Sequence, residues 1–383
     1  MNASDPIPFV DLARVHGPLA GEIREAMDAV IAGGDFILGN ALQRFESEFA
    51  DYLGVSEAVG VSSGTTALTI AAIAVGVRPG DEVIVPAHTY IASALALMHA
   101  GAEPVFCDVD GETGLIDLDS AAAAVSERTV AVMPVHLYGQ ACDMDAVGFF
   151  ASDRGLAVLE DAAQAHGARW RGRRVGSFGH AAAFSFYPSK NLGAAGDGGA
   201  VCSGDPAVAE TARRLRNLGQ LGKGDHAIAG FNARLDTIQA AVLGVKLGRL
   251  DAWNASRRRA ARTYADQLPP GVGALSTRPE AEDVHHLFPI RTGARDLLRA
   301  ELEVRRVGTG IHYSPAVHQQ PPFASGTQSP RVALKSAERW AAEELSLPIF
   351  NGISEAEVLE VCARLEPSLA APSATTALAE GAT

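Results

Sequence analysis

Residues 182–202 read AAFSFYPSKNLGAAGDGGAVC, and the fold turns on how this stretch is parsed. An apolar run of strand character, 182–186, is followed by Tyr187, Pro188, Ser189 and Lys190. A glycine-rich turn containing Asp197 comes next, and a second apolar run begins at Gly199. A lysine at a strand end among glycines is a costly place for a charge unless it is neutralised or covalently engaged. Schiff-base formation with an aldehyde suits such a lysine. A solvated lysine beside a hairpin is the plainer alternative, and the residues upstream decide between the two.

Upstream, apolar strand candidates recur at 58–62, 82–86, 104–108, 130–135 and 157–160. Alanine- and leucine-rich helical stretches lie between them at 65–75, 91–100, 117–125 and 144–154. Continuous apolar strands alternating with helices predict an α/β fold, a mostly parallel sheet covered on both faces. Two further helices, 17–32 and 41–53, precede the first strand. Downstream come a helix at 206–218, a glycine-punctuated loop at 219–230 and one long helix at 235–268, which Pro269, Pro270 and Gly271 terminate. A strand at 286–291 and helices at 295–304 and 336–344 read as a smaller α+β unit. The expected division is a large domain at 1–250, a small C-terminal domain at 251–369 and a disordered tail at 370–383 of small and polar residues.

The chain of 383 residues, 47% hydrophobic and 20% charged, has the composition of a soluble globular protein. Its net charge of -13 argues against nucleic acid or an anionic membrane as the main partner, though an anionic small ligand needs only local donors. The run Arg257 to Arg259 reads as a solvated helix face. Cys107, Cys142, Cys202 and Cys362 are too scattered for a zinc site or a disulfide framework, and fit a reduced, cytoplasmic setting. No apolar run reaches the ~20 residues of a membrane helix. The opening MNASDPIPFVDL lacks the basic start and apolar core of a signal peptide.

Ligands of a parallel sheet bind beyond the carboxyl ends of its strands. After the first strand, Ser62, Ser63, Gly64, Thr65 and Thr66 open a helix, either as a plain N-cap or as a phosphate site of free amides. After the second stands Tyr90, which stacks on a ring or packs in the core. After the fifth comes Asp161, a helix cap or the partner of a buried cation. A protonated pyridine is such a cation, and pairing with it makes the ring a better electron sink. Asp161, a phosphate-suited helix start and a strand-end lysine together point to pyridoxal phosphate on Lys190.

The segments EDAAQAHG (160–167), SFYPSKNLGAAGDGGAV (185–201) and GFNARLDTIQAAVL (230–243) resemble the DegT/DnrJ/EryC1/StrS family of pyridoxal-phosphate-dependent sugar aminotransferases. The resemblance runs from PFVDL at Pro8 to LSLPIF at 345–350. It implies a fold type I aminotransferase, with a large cofactor domain and a small C-terminal one, working as a homodimer. By the family pattern Lys190 forms the Schiff base and Asp161 pairs with the pyridine nitrogen. Gln164 lies near the phenolic oxygen of the cofactor, Tyr90 stacks on the ring, and Gly64, Thr65 and Ser185 hold the phosphate. Asn232 is expected to reach the phosphate of the neighbouring subunit.

Within the family, DAAQAHGA with Gln164, PVHLYGQ (134–140) and GIHYSPAVHQQP (310–321) resemble the 3-aminotransferases of dTDP-linked 3-keto-6-deoxyhexoses, with L-glutamate as donor. In that subgroup the residues matching Tyr187, His312 and Tyr313 lie close to the sugar, and Lys223 reaches the nucleotide from the partner subunit. The alternatives are a 4-aminotransferase, an aminotransferase of a cyclitol ketone, and an idle protein of the same fold that only binds a sugar nucleotide. Lys190 argues against the branch that replaces this lysine by histidine. The Gly64 turn lacks the GxGxxG fingerprint of a dehydrogenase.

Overall fold

Seven strands build the central sheet of the computed structural model, which describes residues 5–270, 272–324 and 330–370. They are β1 (Glu57–Val61), β2 (Glu82–Pro86), β3 (Glu103–Cys107), β4 (Thr129–Val132) and β5 (Ala157–Asp161). Two short strands, β6 (Arg169–Trp170) and β7 (Arg173–Arg174), then leave the sheet before it resumes with β8 (Ala181–Ser185) and β9 (Gly199–Ser203). The order is β1-β9-β8-β5-β4-β2-β3, with β9 alone antiparallel to its neighbours. This is the expected α/β architecture. The reversal at β9 follows from the opening stretch, where Ser185 pairs with Gly199 and Ala182 with Cys202, so that Lys190 lies in the connection between two adjacent strands.

The strands are apolar on both faces because helices cover both. The helix Gly64–Ala74 lies against β8 and β9 with Ala67, Leu68, Ile70, Ala71 and Ala72 buried. The helix Asn40–Leu53 contributes Phe45 and Phe49, which meet Phe184 and Phe186 edge to face at 5.1 to 5.4 Å between ring centroids. These aromatic contacts hold β8, and hence the strand end that carries Ser185, rigidly in register.

A second apolar cluster gathers Tyr264, Phe288, Ile290, Leu302, Leu345 and Phe350. It underlies an antiparallel sheet of Gly273–Ala274, Phe288–Arg291 and Glu344–Leu347. Ile7 belongs to this cluster too, its amide donating to the Arg306 carbonyl at 2.9 Å and its carbonyl accepting from Gly308 at 2.8 Å. The N-terminal segment is thereby fastened to the C-terminal part of the chain.

Four local expectations are corrected. Arg257, read as part of a solvated face, is buried, its guanidinium donating to Asn351 Oδ1 and to the carbonyls of His285, His286 and Ile349. The stretch 235–268 forms two helices, Thr237–Leu247 and Leu250–Gln267, because Gly248 caps the first and Leu250 turns into the core to start the second. The loop at 219–230 contains a small hairpin, Gln220–Gly222 with Asp225–His226. The helix at 336–344 ends at Glu343, and Glu344 opens a strand instead, drawn into pairing with Arg291. The tail from 371 lies outside the described residues.

Candidate active site

Lys190 lies in a tight loop beyond β8, its amide donating to Tyr187 and that of Ala194 to Phe186, both at 2.8 Å. Gly193 is required there, since a Cβ would stand 2.4 Å from the Pro188 carbonyl oxygen. The amine Nζ is 3.5 Å from His286 Nε2. Burial lowers the amine from the ordinary 10.5 to about 8, and the nearby Asp161 carboxylate partly opposes that fall.

His286 was not foreseen from the sequence. Asn191 gives its side-chain amide to Asn254 Oδ1 and the Val284 carbonyl, both at 2.9 Å, so its Oδ1 accepts from His286 Nδ1 at 3.2 Å. His286 therefore carries its proton on Nδ1 and turns a lone pair on Nε2 toward Lys190. Burial, with the charges of Lys190 and Arg257, holds this imidazole neutral far below its usual range.

Asp161 ends β5 and is buried. Its Oδ2 accepts from Ser93 at 2.7 Å and its Oδ1 from the Ala163 amide at 3.1 Å, while Thr89 Oγ1 lies 2.8 Å from the Ser93 hydroxyl. Burial raises this carboxyl above the usual carboxylate range, and the Ser93 hydroxyl, the Ala163 amide and the charge of Lys190 oppose the rise. Ser93 is a second residue the sequence did not single out.

Gln164 and Tyr313 come together, Gln164 Nε2 donating to the Tyr313 hydroxyl at 2.9 Å. Gln164 Oε1 accepts from the Tyr138 amide at 2.7 Å, and the Tyr138 hydroxyl donates to the His312 carbonyl at 2.6 Å. Tyr138 is fully buried and holds a left-handed backbone, φ +62°, a conformation retained by its surroundings. The Tyr90 ring lies 5.1 Å from that of Tyr313 and is half exposed, which leaves it free to cover a planar ligand.

Gly64 begins its helix directly against Ser185. A Cβ on Gly64 would stand 2.5 Å from the Ser185 Cβ, so only glycine permits this approach. Ser63 caps the helix by accepting from the Thr66 amide at 3.1 Å. The amides of Gly64 and Thr65 belong to the first turn and have no intrahelical acceptor. With the Ser185 hydroxyl they make an anion-sized group of donors at a positive helix end.

Tyr187 is exposed beside this group, its amide 3.4 Å from Ser185 Oγ. Asn232 and Lys223 are exposed on the segment that follows the helix Pro206–Arg216. Among the described residues no hydrogen bond joins either to Lys190 or Asp161. The Ala233 carbonyl accepts from the Ser62 amide at 3.1 Å, which keeps Asn232 close to its own helix start. Among the described residues no three His, Cys, Asp or Glu side chains are grouped to hold a metal ion, and no helix is long and apolar enough to cross a membrane.

Fold and cluster define an α/β protein that holds a half-buried lysine of lowered basicity near a buried carboxylate, at the carboxyl end of a mostly parallel sheet. The chain belongs to the DegT/DnrJ/EryC1/StrS aminotransferase family, whose pattern matches residues 19–366. It is 46% identical over 357 residues to dTDP-3-amino-3,4,6-trideoxy-alpha-D-glucose transaminase of Streptomyces venezuelae, covering 93% of this chain and 94% of that one. The solved structure of S. venezuelae DesV in complex with a ketimine intermediate matches with TM-score 0.92 and 46% identity, over 95% of this chain and 98% of that one. Bacillus subtilis NtdA with bound cofactor PMP matches with TM-score 0.88 and 28% identity, over 96% of this chain and 86% of that one. The protein is an aminotransferase.

Proposed function

We propose that this aminotransferase uses pyridoxal phosphate to install an amine at the 3-position of a dTDP-linked keto-6-deoxy sugar, with L-glutamate as donor. The observation that carries the reading is the Lys190 amine, lowered to about 8, with an acceptor imidazole 3.5 Å away and a buried carboxylate within its field. The cofactor fits the residues present. Gly64, Thr65 and Ser185 offer donors to a phosphate, and a Cβ on Gly64 would close that cradle. Asp161 keeps acceptor capacity on both oxygens, and its burial favours a cationic N–H partner. On this reading Tyr90 would cover the ring, and Gln164, whose Nε2 has a second proton beyond the one given to Tyr313, would donate to the phenolic oxygen.

Bound there, pyridoxal phosphate supplies an aldehyde that takes up the amino group and a ring that accepts electrons. Lys190 Nζ, once free, takes a proton from one carbon and returns it to another. His286 Nε2 holds the amine in position and accepts its hydrogen bond. Asp161 would hold a proton on the pyridine nitrogen. Donor and acceptor share one site in turn, so kinetics are ping-pong.

The sugar assignment rests on Tyr187, His312 and Tyr313 near the site and on the substrate named for the S. venezuelae relative. It is tested by assaying nucleotide-linked 3-amino and 4-amino sugars in the reverse direction, with 2-oxoglutarate and pyridoxal phosphate, and following glutamate. The dTDP-linked 3-amino-6-deoxyhexoses turn over best on this reading. Preference for 4-amino sugars, or for an aminocyclitol assayed beside them, transfers the enzyme to that class, and inactivity with every compound favours the idle binder. The four buried, free cysteines fit a reducing, cytoplasmic setting.

The working unit in this reading is a homodimer with shared sites. Phe36, Ile37, Leu221, Ile228 and Phe231 are large, apolar and exposed, and the Thr237 amide joins Phe36 to the Asn232 segment at 3.0 Å. Exposed apolar side chains of this kind fit an interface with a second copy of the chain. Exposed Asn232 would then complete the phosphate site of the neighbour. Asn232→Ala is expected to retain pyridoxal phosphate poorly although its own Lys190 and Asp161 are intact. Mixing inactive Lys190→Ala subunits with inactive Asn232→Ala subunits should restore part of the activity, because each heterodimer has one site with both lesions and one with neither. Subunit exchange without recovery would place Asn232 in its own subunit's site.

A further inference from the structure

The strand Glu344–Leu347 carries two buried polar side chains, Glu344 and Ser346, that the reaction as derived above does not use. The strand is fixed by reciprocal amide-carbonyl bonds between Ser346 and Gly310, at 2.8 and 3.1 Å, two residues before His312. Glu344 Oε2 accepts from the His312 amide, and Glu344 Oε1 from the Ser346 hydroxyl, both at 2.5 Å. Ser346 Oγ lies 2.9 Å from His312 Nδ1. Because the Ser346 proton is committed to Glu344, its oxygen is the acceptor toward the ring, and the His312 proton must sit on Nδ1. Nε2 is then a bare acceptor, and among the described residues it forms no hydrogen bond.

The ring has no freedom to turn away. Phe9 stacks on it at 5.5 Å and 19°, and Tyr313 meets it edge-on at 5.3 Å. Gly310 admits the ring only because it lacks a side chain, since a Cβ would stand 2.5 Å from His312 Cε1. Burial and the charge of Lys190 keep the imidazole neutral by lowering it to about 4. Burial lifts Glu344 to about 7 against the pull of the His312 amide, the Ser346 hydroxyl and the Arg295 charge, so above that pH it is an anionic acceptor.

We infer that Glu344 and Ser346 are positioning residues that lock His312 in the Nδ1–H tautomer, so that its Nε2 selects a substrate presenting a hydroxyl donor. The selection of a sugar hydroxyl rests on the substrate reading above, whereas the tautomer does not. A site built to accept a hydroxyl discriminates against an analogue that lacks it, because the acceptor is left unpaired.

The test is nitrogen NMR on the full chain labelled with 15N-histidine at pH 8, with the His312 signals assigned by their loss in His312→Gln. The expected pattern is a protonated Nδ1 and a bare Nε2. In Glu344→Gln the new amide donates to Ser346, whose hydroxyl proton is then turned onto His312 Nδ1. The pattern should invert to a protonated Nε2, and Ser346→Ala should give a mixture of tautomers. In Glu344→Gln the KM for the sugar should rise about tenfold more than the KM for glutamate, the equivalent of one lost hydrogen bond. An Nε2–H pattern in the unaltered protein, or one unmoved by Glu344→Gln, overturns the relay. An inverted tautomer with the sugar KM unchanged overturns the hydroxyl selection. A correct tautomer in a protein that turns over no sugar sustains the relay and defeats the substrate reading instead.

Discussion

Lys190→Ala is expected to lower turnover by about 10⁴-fold or more, the upper end of what a positioned proton-transfer group supplies. It removes the group that would engage the cofactor and the base that moves the proton. The variant should fold normally. Its side chain contacts His286 at 3.5 Å, and the loop is held by its own backbone bonds and by Gly193. Pyridoxal phosphate should still bind, reversibly, through the donors of Gly64, Thr65 and Ser185. Equilibrium dialysis separates the two effects, with turnover lost and binding weakened rather than abolished. Turnover within tenfold of the unaltered enzyme would remove Lys190 from the chemistry.

Asp161→Asn is expected to lower kcat by roughly 10²- to 10⁴-fold with a much smaller loss of cofactor affinity. Asparagine keeps the shape and the bond from Ser93 Oγ but cannot hold a proton on the pyridine nitrogen. The same substitution has a signature independent of turnover. The neutral amine is the nucleophile, so aldehyde capture by the apoprotein rises with pH and levels off above the Lys190 pKa. At about 8 that pKa leaves roughly 10% of the amine neutral at pH 7, against about 0.03% for an ordinary lysine at 10.5. Asp161 is the anion that opposes the lowering, so its loss should move the capture midpoint to still lower pH. A midpoint unchanged in Asp161→Asn would show that the two groups do not sense each other.

Much of this site could be read in the chain because the sheet turns local motifs into a constellation. The lysine loop after 182–186, the aspartate closing 157–160 and the glycine and hydroxyls after 58–62 each follow the end of a buried strand, and parallel strands gather such ends on one edge, where the antiparallel run 199–203 begins. His286 and Ser93 escaped notice for the opposite reason. Ser93 reaches the site from the apolar helix Ala92–His99 and His286 from the loop before Phe288–Arg291, and each acts through a partner, Asp161 or Lys190, that is distant in sequence. The adjacent pair His285 and His286 was the available signal, since two consecutive polar rings lead directly into the apolar strand Phe288–Arg291. Glu344 shows the limit of propensity. In a run of AAEE it reads as a helix residue, yet pairing with Arg291 draws it into a strand and aims its carboxylate at His312. The division of 235–268 at Gly248 was likewise invisible in a pattern that helical periodicity carries straight through.

The most direct test is borohydride reduction of the protein loaded with pyridoxal phosphate, followed by peptide mapping. One pyridoxyl group per chain is expected, on Lys190 in the peptide that contains SKNLG, with none in Lys190→Ala. A pyridoxyl group on Lys246, whose buried amine is also lowered to about 8, or on any other lysine, would contradict it.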